Sequence, residues 1–199
     1  MGFLLKMICE DRTIVCIASG PSLTQEDVDF VRGKAFVFVC NDGYRIAPWA
    51  DLLYAADRGW WEYHLPSLNG FQGEKWTCDK PIADKHGLHY IGIKNSLIFG
   101  KNNSIANGSN SGFQLLNLAA LMRPKRIVLL GYDMKETEEK SHWFGDHPGK
   151  IKRSSKSPYH KFIRAFNAAA SEIDPQVINA TRDTALTCFL RRPLEEVFP

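Results

Sequence analysis

The stretch Thr13-Ile-Val-Cys-Ile-Ala-Ser-Gly-Pro-Ser22 passes from an apolar, largely β-branched run straight into four small or turn-forming residues. A short continuous apolar run bounded by turn residues reads as a strand covered on both faces, because a half-exposed strand would alternate with polar residues. Thr24 then caps a helix whose first turn, Gln25-Glu26-Asp27, is acidic, and an amphipathic run continues to Val31 before Gly33 stops it. Buried strand, small-residue turn and capped helix form a unit that can hold a phosphate on backbone N–H groups.

The same alternation spreads outward. Ala35–Cys40 is an almost wholly apolar strand ending at Asn41-Asp42-Gly43, and Leu52–Ala56 is another, ending at Asp57. An aromatic helix follows from Gly59 to about Leu65. Residues 66–110 carry weak strand signals near Lys75–Cys78 and Leu88–Ile93, then a polar stretch from Lys94 to Asn110. Ser111-Gly112 opens an apolar helix, Phe113–Met122, closed by Arg123-Pro124. Arg126–Leu130 is a further apolar strand, ending at Gly131-Tyr132-Asp133. Pro158–Ile173 reads as a long helix and Val177–Asn179 as a last short strand. Continuous apolar strands separated by helices predict one Rossmann-like α/β domain over residues 1–199, with a mostly parallel sheet and helices on both faces. A mobile lid is expected at about 134–157.

Composition narrows the function. The 44% hydrophobic content of 199 residues suffices for one core, and a net charge of +3 supplies no global basic field of the nucleic-acid-binding kind. Five cysteines, odd in number and without Cys-x-x-Cys, read as buried free thiols in a reducing compartment. The first residues have too short an apolar run for a signal peptide, and no stretch reaches the roughly 18 apolar residues of a membrane span. A cytoplasmic location is expected.

In open α/β sheets ligands bind beyond the carboxyl ends of the strands. Those ends here carry Ser19-Gly20-Pro21-Ser22, Asn41-Asp42, Asp57 and Gly131-Tyr132-Asp133, which together predict a shared pocket. The polar loop Ser141-His-Trp-Phe-Gly-Asp-His-Pro148 offers His142, Asp146 and His147 for proton transfer. Other motifs fail. Gly20 stands alone where Gly-x-Gly-x-x-Gly needs three glycines, no P-loop exists, and Asn110 occupies the serine place in a would-be nucleophile elbow. Zinc spacing is missing, and two histidines five apart are a weak metal signal. The basic run Lys150, Lys152, Arg153, Lys156, His160, Lys161 and Arg164 reads either as a solvated face or as a lid closing on phosphates. At helical spacing Trp60 and Trp61 pack a core, with stacking on a base the alternative.

Ile17-Ala-Ser-Gly-Pro-Ser-Leu23, Val-Cys-Asn41, Asn-Ser-Gly112, Gly-Tyr-Asp133 and Ser141-His-Trp-Phe-Gly-Asp-His147 resemble, in order, the motifs of bacterial CMP-sialic-acid sialyltransferases. That family shows Gly-x-Gly-Pro-Ser-Leu, Cys-Asn, Thr-Ser-Gly, Gly-Ile-Asp and Ser-His-Tyr-Ile-Gly-His. The chain is also similar to phage and bacterial proteins grouped with archaeal 6-hydroxymethylpterin pyrophosphokinases, which would put it in a host cytoplasm if phage-encoded. The likeness spans roughly residues 13–190. It implies that Ser19, Gly20, Pro21 and Ser22 line the donor phosphate and ribose and that Asn41 bonds base or sugar. Asn110, Ser111 and Gly112 would hold an anionic group, and Gly131 with Tyr132 would pack on the nucleotide. The family's general base is the last loop histidine; Asp146 falls on that place here and His147 one residue on. Asp57 replaces a donor-binding asparagine, and Asp57 with Asp133 would suit Mg²⁺ on phosphates.

The leading expectation is a nucleotide-sugar-dependent glycosyltransferase, with a CMP-linked donor and without a required metal. Its acceptor would be a glycan, a small molecule or a nucleic acid. A Mg²⁺-dependent pyrophosphokinase-like phosphotransferase and a non-catalytic nucleotide-binding protein are the alternatives. A homo-oligomer is compatible with each.

Overall fold

The computed structural model describes residues 9–96, 103–137, 140–145 and 158–198. At its centre lies β1 (Thr13–Ile17), paired in parallel with β2 (Phe36–Cys40) on one side and β8 (Arg126–Leu130) on the other. Beyond β2 the sheet continues through β3 (Leu52–Tyr54), β4 (Glu74–Thr77) and β5 (His89–Tyr90). Beyond β8 it continues through β9 (Gln176–Asn179) and β10 (Leu190–Arg191), giving the order β10-β9-β8-β1-β2-β3-β4-β5 with each pairing parallel. The chain therefore builds outward from β1 in one direction and returns to its other side for β8. The point where strand order reverses, and where a crevice opens in such sheets, lies between β1 and β8.

Side chains on alternate positions of these apolar strands enter two separate cores. Ile14, Cys16, Phe38 and Leu129 pack beneath Phe113 and Leu116 of α5 (Ser111–Leu121) and Phe162 and Phe166 of α6 (Tyr159–Ala169). Val15, Ile17, Val39 and Val128 meet Val28 and Val31 of α1 (Gln25–Val31) and the indoles of α3 (Arg58–His64) on the other face. Helices on both faces of a parallel sheet are what the continuous apolar runs predict.

Thr24 caps α1 as expected, its side chain accepting from the Asp27 amide. Trp60 and Trp61 are buried, donating to Asp42 and to the Ala55 carbonyl, so the packing reading of this pair holds. Other expectations need correction. The segment Leu88–Ile93 is two strands: Ile91 still donates to Thr77 of the main sheet, whereas Gly92 donates to Asn103. Thus β6 (Gly92–Lys94) leaves to pair with β7 (Ser104–Ala106) inside the stretch taken as polar loop. The long helix ends at Ala169 and tightens into a 3-10 turn over Ala170–Glu172. Three short helices, α2 (Gly43–Ile46), α4 (Lys80–His86) and α7 (Leu194–Val197), went unpredicted. Of these, α4 had a legible start in Asp79, whose side chain accepts from Ile82, with Pro81 close behind and Gly87 at φ +66° closing it. No helix among the described residues is long and apolar enough to cross a membrane, and all five cysteines are free.

Candidate functional site

The carboxyl ends of β1, β2 and β8 and the start of α5 enclose an open cleft of about 700 Å³, counting the solvent at its mouth. Ser19, Gly20, Pro21, Asn41, Gly131, Asp133, the α5 cap Asn110 and the first α5 residues Ser111 and Gly112 line it, joined by His142 at the rim. Lys135 and the α6 residues Tyr159 and Phe162 line it too, and sequence reasoning missed all three. The pattern marked α6 as a helix, but which of its residues reaches the cleft depends on its docking.

Three expected contacts fall elsewhere. Tyr132 has no exposed surface: its hydroxyl donates to the Gly112 carbonyl at 3.0 Å, so it ties α5 to the sheet and cannot pack on a nucleotide. Asp57 is exposed at the start of α3, so the cleft holds Asp133 without its expected Mg²⁺-sharing partner. Among the described residues no three His, Cys, Asp or Glu side chains converge as a metal centre. Ser22 sits behind the wall, its amide donating to Asp133 Oδ2 at 2.8 Å and its hydroxyl pairing with Asp183. Asp146 and His147 lie outside the described residues, as do 138–139 and 148–157 of the expected lid.

The Ser19–Ser22 turn also serves a different purpose from the expected one. The Gly20 amide donates to the Gly131 carbonyl at 2.8 Å, the Leu23 amide to the Gly20 carbonyl, and Pro21 has no N–H. With the Ser22 amide also taken, the turn closes β1 onto β8 and spends the Gly20, Ser22 and Leu23 amides internally. Further donors stand at the start of α5. Asn110 Oδ1 accepts from the Phe113 amide at 2.9 Å and the Asn110 carbonyl from the Gln114 amide. The amides of Ser111 and Gly112, which a helix leaves without an internal acceptor, border the cleft. They stand at the positive end of an eleven-residue helix, where backbone N–H groups favour negative charge.

Asn41 and Asp133, which line the same cleft, each hold a buried side-chain oxygen, Oδ1, that has no hydrogen-bond partner among the described residues. Asn41 holds a left-handed backbone, φ +50°, at the end of β2. Asp133 is 1% exposed, and desolvation, with a smaller push from the Asp183 carboxylate, raises its pKa above the ordinary carboxyl value. A buried acceptor left open is costly unless a ligand donor meets it. Because its folded pKa is raised, Asp133 contributes stability that is full below the unfolded carboxyl pKa and is lost as pH rises through the folded value. Asp133→Asn should therefore melt above the wild type at pH 8 in the absence of ligand, with the gap closing by about pH 4. A gap that widened toward acid pH would reverse the sign and sink the argument.

Loop residues 141–145 lie over the β1 turn, the Trp143 amide donating to the Ser19 carbonyl at 3.2 Å. The His142 ring stacks on Phe144 with centroids 5.0 Å apart while bordering the cleft. The site so assembled is a crevice at the carboxyl edge of a Rossmann-like α/β sheet, lined by the start of α5, by Asn41 and Asp133, and by an imidazole at its rim. Comparison with protein-family models, with curated proteins and with solved structures found no match.

Proposed function

We propose that the cleft binds a nucleotide-linked donor, CMP-linked by preference, and that the protein transfers the donor's sugar to an acceptor hydroxyl. The observation that carries this reading is the pairing of the open α5 amides with the buried, unpartnered oxygen of Asp133 across one cleft. Ser111 and Gly112 would hold a phosphate and stabilise it as it leaves, while Asn41 and Asp133 would accept from ribose hydroxyls or a base amino group. His142 borders the space where the acceptor hydroxyl would come and suits a proton acceptor, with Asp146 and His147 the further candidates for that role. The phosphotransferase alternative is weakened, because Asp57 stands away from Asp133.

The direct test is a thermal-shift panel of CMP, CDP, UDP, GDP and ATP, each with and without Mg²⁺. Ligand at about 100 times its Kd should add about 2.7 kcal/mol, or roughly 5–10 °C for a chain of this size. An unmoved midpoint across the panel at millimolar concentration would falsify the nucleotide reading. Binding of ATP that requires Mg²⁺ would favour phosphoryl transfer instead. A bound CMP-sugar that is never consumed in the presence of acceptors would mark a non-catalytic binder.

A further inference from the structure

The loop that carries His142 is held from outside the cleft by Arg45 on α2. The Arg45 guanidinium carbon lies 5.8 Å from the centroid of the Trp143 ring and 5.7 Å from that of Phe144, within the roughly 6 Å over which a cation is drawn to an aromatic face. Arg45 is itself aimed by Asp42: its Nη1 donates to Asp42 Oδ1 at 3.4 Å, and Asp42 is 1% exposed. The other carboxylate oxygen of Asp42 accepts from Trp60 Nε1 at 3.2 Å, so the carboxylate is fixed by a core indole. A continuous series of contacts thus runs from Trp60 and Asp42 through Arg45 to Phe144, and through the stacked Phe144 ring to His142 at the cleft.

We infer that Arg45 is a positioning residue that seats the His142 loop over the cleft by clamping the rings of Trp143 and Phe144. A half-exposed arginine paired with one aspartate would ordinarily contribute little. Two aromatic faces shared by one guanidinium make it a clamp, and the buried Asp42 removes the freedom it would otherwise lose on clamping. The role of His142 rests on the transferase reading above, but the seating of its loop does not.

Hydrogen exchange in the ligand-free protein keeps the two apart. The Trp143 amide, bonded to the Ser19 carbonyl, reports the seated loop, and the Gly20 amide, bonded to Gly131, reports the intact sheet edge. Arg45→Gln should speed exchange at Trp143 about fivefold with Gly20 unchanged. Phe144→Leu, which removes one ring and leaves the Asp42 pair, should do the same. Arg45→Lys should restore exchange to within about twofold of wild type, since it returns a cation to the rings. Wild-type exchange at Trp143 in either of the first two variants overturns the assignment. So does a lysine variant as fast as the glutamine one, or a matching acceleration at Gly20.

Discussion

Gly20→Val should lower the melting temperature by about 10 °C or more, or leave the chain insoluble, before any ligand is considered. A Cβ built on Gly20 collides with the Asp133 carboxylate and comes within 2.5 Å of the Gly131 carbonyl oxygen, so neither a flexible tip nor open solvent receives it. To admit the side chain, β1 and β8 must separate at their carboxyl ends. The Gly20–Gly131 bond and the Ser22–Asp133 bond then stretch or break, leaving buried polar groups unpaired. Overpacking of about 1–3 kcal/mol and the lost bonds together amount to about 4 kcal/mol, and each kcal/mol moves the midpoint of a chain this long by roughly 2–4 °C. Gly59→Ala is the control, because a Cβ there meets nothing within 4 Å. A Gly20→Val protein melting within about 2 °C of wild type would show that the strand ends are not joined in this way. In sequence, a lone glycine at a strand end looks like clearance for a ligand. The clearance is already occupied by the protein's own carboxylate.

Ser111→Pro should cost nucleotide affinity at least tenfold while sparing the fold. Ser111 is the first residue of α5, where proline is well tolerated, and Asn110 before it is extended at φ −151° and ψ 127°, as a residue preceding proline prefers. The substitution removes one of the two amides offered to an anion and leaves the Asn110 cap on Phe113 in place. A hydrogen bond to a charged group contributes about 1.5–3 kcal/mol, equivalent to roughly 10–100-fold in Kd. Ser111→Ala retains the amide and should bind within about threefold of wild type, with the loss of one neutral hydroxyl contact as its upper bound. Titration calorimetry with the nucleotide that gives the largest thermal shift reads both variants. Equal affinity for the proline variant would place the phosphate away from α5, and equal losses in both would assign the contact to the hydroxyl instead of the backbone.

Much of the architecture was legible because the strands that matter are buried on both faces. Thr13–Ile17, Phe36–Cys40 and Arg126–Leu130 can be read one at a time, since a strand covered on both sides must be apolar at each position whatever its neighbours are. The Thr24 cap is equally local, acting within three residues of itself. Edge elements were not legible in this way. The short strands β5 and β6 bury none of their residues, so their pairing is decided by which neighbour supplies a carbonyl, and Ile91 and Gly92 answer to different sheets.

The sequence by itself determined that Ser19, Asn41 and Asp133 gather at the carboxyl edge, because strand direction and strand ends place them there together. Only the tertiary structure decided what each one does. Whether a backbone N–H is free depends on the carbonyl opposite it, and for Gly20 that carbonyl belongs to Gly131, on a strand more than a hundred residues away in the chain. Whether an aspartate is a ligand group or a structural one depends on its two oxygens separately, and Asp133 gives one to Ser22 and leaves the other buried without a partner among the described residues. Tyr132 and Asp133 are adjacent in sequence, yet opposite sides of one strand end send the first into the core and the second to the cleft.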